Sequence, residues 1–161
     1  MTKIEERLYI GCPYVRAREY LHQALEQAAR SLLPKLLRLR AAVPATNMEV
    51  AKYVNVTYDH DSDPMHFDEP WRVCWKPEPG GVYPSFRGQL TVRAGENYEC
   101  AILELTGEYE PPLGTAGRAF DAAIGKRVAA DTARKLLSEI GAEMEVRYHR
   151  EEAAKIDSVI S

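Results

Sequence analysis

The densest group of chemically capable side chains is DHDSDPMHFD at residues 59–68, with Asp59, His60, Asp61, Asp63, His66 and Asp68 within ten positions. Carboxylates and imidazoles gathered this way are the donors of a hard divalent-cation site. Their spacing matches neither the zinc signatures nor an EF-hand calcium loop. Asp, Ser and Pro are also the ordinary material of loops. The segment therefore reads as a solvated loop, and we assign no metal and no cofactor. Covalent catalysis would need Cys or Ser beside a base. Cys74 and Cys100 fall in strand-like runs, and Cys12 lies in a turn far from both. His22 and His149 come with no carboxylate that the sequence marks as an orienting partner. Cysteine of this kind is most often a small buried hydrophobe.

Glu104 is the more interesting ionisable residue. If Cys100, Ile102 and Glu104 share the inner face of their strand, Glu104 is a carboxylate in an apolar pocket, with a raised pKa and use as a general acid. If Ala101, Leu103 and Leu105 take that face instead, Glu104 points to solvent, the commoner place for a strand carboxylate. Both sets are apolar, so alternation does not choose between them. Arg87 and Arg93 have the chemistry to hold a ligand carboxylate, though outward-facing strand charges are the ordinary case.

The elements that would position these groups follow from periodicity. Lys3 to Ile10 alternates Ile4, Leu8 and Ile10 against Glu5, Arg7 and Tyr9, a half-buried strand. Gly11-Cys12-Pro13 turns into a helix over Pro13 to Leu32, with Ala17, Leu21, Ala24, Ala28 and Leu32 on its apolar face and Tyr20 and Leu25 beside them. Five strand-like runs follow: Leu36 to Val43, Met48 to Tyr58, Trp71 to Lys76, Ser85 to Arg93 and Tyr98 to Tyr109. Strands at such close spacing favour hairpins and an antiparallel sheet.

The longest helical pattern comes last. Pro111 and Pro112 stand outside it, Thr115 is placed to cap it, and Phe120, Ile124, Val128, Thr132, Leu136 and Ile140 recur every four residues. That is the stripe of a helix lying on a core. Gly141 predicts its C-cap. The order is strand, helix, five strands, long helix, an α+β arrangement in which a curved antiparallel sheet closes around a C-terminal helix like a hand around a rod.

Length and composition bound the rest. A chain of 161 residues suggests a domain of ordinary size. A net charge of −3 offers no electrostatic footprint for nucleic acid. No apolar run approaches membrane-spanning length, and the first residues, MTKIEERLYIG, lack a signal-peptide core. Three scattered cysteines fit reduced thiols, so the expected location is the cytoplasm.

Residues 107–141, GEYEPPLGTAGRAFDAAIGKRVAADTARKLLSEIG, together with the element order before them, resemble the START-like superfamily, also called SRPBCC or helix-grip proteins. The narrower likeness is to the bacterial polyketide cyclase/dehydrase and lipid-transport-like group. One departure is the first helix, continuous here where many relatives have two short ones. The resemblance implies a helix-grip domain over residues 1–141, followed by a charged tail over 142–161 that extends the helix or is disordered. It also implies a hydrophobic cavity between the sheet and the C-terminal helix. The expected partner is a hydrophobic small molecule or lipid. The alternatives are a cyclase/dehydratase-type enzyme using the same cavity and a non-catalytic scaffold whose cavity has collapsed. Relatives share no catalytic motif, so no catalytic residue is carried over, and oligomeric state is left open. The expected lining is Trp75, Phe86, Tyr98, Glu104, Phe120 and Ile124. Aromatic and apolar walls with a few polar groups are what small-molecule pockets have.

Overall fold

The structure is a computed structural model that describes residues 2–30, 35–42, 49–59, 70–77, 84–110 and 122–160. Its elements are β1 (Thr2–Ile10), α1 (Tyr14–Arg30), β2 (Lys35–Ala42), β3 (Glu49–Asp59), β4 (Trp71–Pro77), β5 (Ser85–Ala94), β6 (Ala101–Glu110) and α2 (Ala122–Ile160). The expected strands, helices and order are all present. Thr115, Phe120 and residues 60–68 of the acidic cluster lie outside the described residues. Asp59 is described, and its carboxylate pairs with Arg72 at 2.7 Å.

The six strands form one antiparallel sheet in the order β1-β6-β5-β4-β3-β2. Each hairpin places sequence neighbours side by side, and β6 returns to pair with β1. Alternation sorts the faces. Ile4 and Ile10 of β1, Val54, Val56 and Tyr58 of β3, Trp71, Val73 and Trp75 of β4, Phe86 and Leu90 of β5, and Leu103, Leu105 and Tyr109 of β6 are buried in one core with both helices. Helix α1 lies over β3 and β5, while α2 meets β1 and β6 and reaches β2 at the far edge. Both edges of the sheet thus approach one helix, which is the curvature of a grip.

Two facing glycines ease that curvature. Gly88 and Gly107 are register partners on the inner face of β5 and β6. A Cβ on either would fall on backbone of the facing strand and on the Phe86 ring. With neither side chain present, the strands bend together and Phe86 lies across them.

Helix α2 does not end at Gly141. It runs unbroken for 39 residues, about 58 Å, to Ile160. Gly141 is buried, and a Cβ there would stand 2.8 Å from Leu8 Cδ2 and 2.9 Å from Ile10 Cγ2. The glycine therefore serves close approach of α2 to β1, not termination. Beyond it, Met144 joins the core and Glu145 accepts a hydrogen bond from Gly11 N at 2.8 Å. Residues 142–160 take the helical form of the two that were open to them.

Candidate groove between the two helices

Where α1 and the second half of α2 diverge over β3, they leave a groove of about 1020 Å³. Its floor is Val56 and Tyr58. One wall is Tyr20, Ala24, Leu25 and Ala28 of α1. The other is Ile140, Glu143, Met144 and Arg147 of α2, with Gln23, Gln27, Arg150 and Glu151 toward the mouth. Each wall comes from a helical repeat. Positions 20, 24, 25 and 28 share one face of α1, and 140, 143, 144 and 147 share one face of α2.

A polar clasp bridges the helices at one side. Tyr20, buried, donates its hydroxyl hydrogen bond to Glu151. The Arg147 guanidinium lies 4.5 Å above the Tyr20 ring centroid, donates to Gln23 Oε1 at 2.6 Å and pairs with Glu151 at 3.5 Å. Burial, followed by the hydrogen bond to Glu151, pushes the Tyr20 phenol up to about 12. The same bond, reinforced by Arg147, holds the Glu151 carboxyl below its ordinary value.

Tyr58 differs. It is 7 % exposed, and its hydroxyl makes no hydrogen bond among the described residues. Burial first, and then the charges of Glu139 and Glu143 on α2, raise its pKa above the ordinary phenol value. The phenol therefore stays neutral and is a hydrogen-bond donor at any physiological pH.

Of the expected lining residues, the four with described side chains, Trp75, Phe86, Tyr98 and Glu104, do not line this groove. Trp75 and Phe86 stack at 4.0 Å with 13° between their planes, as closed core on the inner face. They also border a smaller recess, about 490 Å³, but its other walls include outward-facing Thr57, Lys76, Arg87 and Glu108, on the far side of the sheet. Tyr98 occupies the β5–β6 turn, 66 % exposed, with φ of 57°. Its carbonyl accepts a hydrogen bond from Tyr14 N at 3.0 Å at the start of α1, and the two rings meet edge to face. The strand expected from Tyr98 begins instead at Ala101, because the left-handed residue belongs to the turn.

Glu104 is also displaced from its expected role. Leu103 and Leu105 take the inner face, so Glu104 lies on the outer one. It is nevertheless buried, held by Arg7 at 2.7 Å and Arg93 at 3.0 Å. Arg7 is its register partner on β1. Arg93 is diagonal across β5, and the long arginine stems cover the carboxylate. Ile124 lies in the first turn of α2, without a described side chain, and Phe120 is outside the described residues.

No family model matches the chain, and no curated protein matches it. Solved structures do. TTHA0849 from Thermus thermophilus matches with a TM-score of 0.51 at 14% identity, over 91% of this chain and 99% of that one. The ZhuI aromatase/cyclase from a Streptomyces species matches with a TM-score of 0.52 at 16% identity, over 91% of this chain and 94% of that one. The fold shared with these structures is a helix grip, a curved antiparallel sheet closed on a long C-terminal helix. At these identities the helix-grip likeness speaks to the fold alone.

Reading the sequence did not single out the helix-grip groove's polar groups. Tyr58 had a usable signal, since it continues the inner-face parity of Val54 and Val56. Tyr20 was placed beside the apolar face of α1 without a partner. Arg147 and Glu151 fell in a stretch that reads as a charged tail. Only the pairing of α1 with α2 gives them a role.

Proposed function

We propose that the protein binds a hydrophobic small molecule or lipid in the groove between the sheet and its two helices. The observation that carries this reading is the groove itself. It has buried apolar side chains on its floor, Val56, and on both walls, Leu25, Ile140 and Met144, and its volume is at the upper end of small-molecule sites. Burial of apolar ligand surface there supplies about 25 cal/mol per Å² before the costs of association. An open groove favours this reading over a scaffold whose interior is filled by its own side chains. Among the described residues no helix is long and apolar enough to cross a membrane. Free Cys12, Cys74 and Cys100 support a reducing compartment, the cytoplasm.

A second reading, a cyclase/dehydratase-type enzyme using the same groove, has one observation in its favour. A protein of similar fold is titled an aromatase/cyclase, and Tyr20 and Glu151 place a phenol and a carboxylate together on this groove's wall.

Native mass spectrometry of protein purified from its own host, followed by denaturing extraction, tests the first reading. The expected result is a co-purifying apolar compound in the wild type. Ala28→Trp, which fills the groove from α1, removes it while circular dichroism stays unchanged. A wild type that neither carries a compound nor takes up a fluorescent apolar probe overturns the reading. Turnover of the extracted compound would move the assignment to the enzyme.

A further inference from the structure

The orphaned donors of the core narrow the ligand. Tyr58 lines the groove with a buried hydroxyl that has no partner among the described residues. Trp75 lies on the same face of the next strand, directly opposite Val56 in register, and its indole Nε1 is buried and also without a described partner. Native interiors rarely leave such groups unsatisfied, because each forfeits its hydrogen bond to water. Of the two, only Tyr58 lines the groove, and its hydroxyl marks a place where an acceptor oxygen belongs. The surrounding charge decides what kind of oxygen. Glu139 and Glu143 stand one helical turn apart on α2, and their charges act on the Tyr58 phenol in the same direction as its burial, the larger cause. Glu143 itself lines the groove. Toward the mouth stand two cations, Arg150 and Arg147, the latter engaged by Glu151, Gln23 and the Tyr20 ring, so the charge facing a ligand differs between mouth and floor. A carboxylate or phosphate carried to the depth of Tyr58 would meet two like charges. A neutral oxygen would meet a donor that has no partner among the described residues.

We propose that the groove selects an apolar ligand whose buried end bears an uncharged carbonyl, ether or hydroxyl oxygen, which accepts a hydrogen bond from Tyr58, and discriminates against a carboxylate or phosphate carried to that depth. This rests on the groove being the binding site, and it adds the recognised group and the residue that reads it.

The test uses the full chain and displacement of Nile red by three isosteric competitors: 2-acetylnaphthalene, 2-isopropenylnaphthalene and 2-naphthoate. In the wild type the ketone is expected to compete better than the carboxylate. Tyr58→Phe should lower the ratio of ketone to hydrocarbon affinity about three- to tenfold, the worth of one buried neutral hydrogen bond. The same variant should melt at or above the wild-type temperature without ligand, since it removes an unsatisfied buried hydroxyl. Glu143→Gln should improve 2-naphthoate binding. A ketone-to-hydrocarbon ratio untouched by Tyr58→Phe, tighter binding of 2-naphthoate than of the ketone, or a destabilised unliganded Tyr58→Phe protein each overturns the proposal. Nile red that binds the wild type and is blocked by Ala28→Trp keeps the groove as the site, so those outcomes count against the recognised group alone. Nile red binding that is absent, or indifferent to Ala28→Trp, removes the binding reading and this proposal with it.

Discussion

Glu104 and Tyr58 are both buried, on opposite faces of one sheet, for different reasons. Glu104 is enclosed by two arginine stems and fully paired. Tyr58 is enclosed by core and groove, with no described partner. Because Glu104 belongs to the outer face, Glu104→Gln is expected to cost about 1 kcal/mol or less and leave ligand uptake as it is. Arg7 and Arg93 are exposed and re-hydrate easily. Urea denaturation read beside Nile red titration checks this, and a loss of uptake would return the carboxylate to the site. Cys12 makes a second residue-scale prediction. Burial, with help from the nearby Glu145 charge, pushes its thiol up to about 11. At pH 8 almost none of it is the reactive thiolate. Iodoacetamide should therefore modify half-buried Cys74 and Cys100 first, with Cys12 protected until the protein unfolds. Peptide mass mapping over time resolves the order.

At the scale of elements, the contact between α2 and β1 turns on Gly141. Alanine there gains about 1 kcal/mol of helix propensity. Its methyl must also displace Leu8, whose tip can move, and buried Ile10, whose branched γ-carbon cannot move freely. Overpacking of this kind costs about 1–3 kcal/mol, so Gly141→Ala is expected to lower the denaturation midpoint. A raised midpoint would show that helix propensity outweighs the contact. The clasp joining α1 to α2 predicts a pH dependence. Glu151 is held below its ordinary carboxylate value, so its contribution is present above that value and fades as pH falls through the folded pKa. Tyr20 is raised to about 12, so its contribution is present below the ordinary phenol value and fades as pH rises toward 12. The gap in melting temperature between wild type and Tyr20→Phe should therefore be flat from about pH 5 to 10 and shrink at both ends. A gap that peaked inside that window would place the dependence on another pair.

At the scale of the whole molecule, the second half of α2 decides how much of the chain the fold requires. Met144 is buried, Glu145 binds the β1–α1 turn, and Glu151 binds Tyr20, whereas Ile156, Val159 and Ile160 are exposed. Ending the chain after Gly141 should cost at least about 2 kcal/mol from Met144 alone. Ending it after Glu152 should be nearly neutral. Chemical denaturation of the two truncations separates them, and equal stability would mean the clasp holds nothing. The reach of sequence reasoning shows in the same elements. Alternation in β1, β3, β4 and β5 identified the inner face directly, and the four-residue repeat identified the helix, because each pattern is set by the residue's own backbone geometry. In β6 both parities were apolar, and Gly141 had two competing meanings, cap or contact. The order of elements, the antiparallel sheet and the grip were legible from the chain because they depend on local period and turn chemistry. Which face of β6 is core, that α2 continues past Gly141, and that Tyr58 meets a groove bounded by Glu143 emerged only with the fold in three dimensions. Each of those depends on what a distant segment places opposite the residue, and no local pattern carries that information.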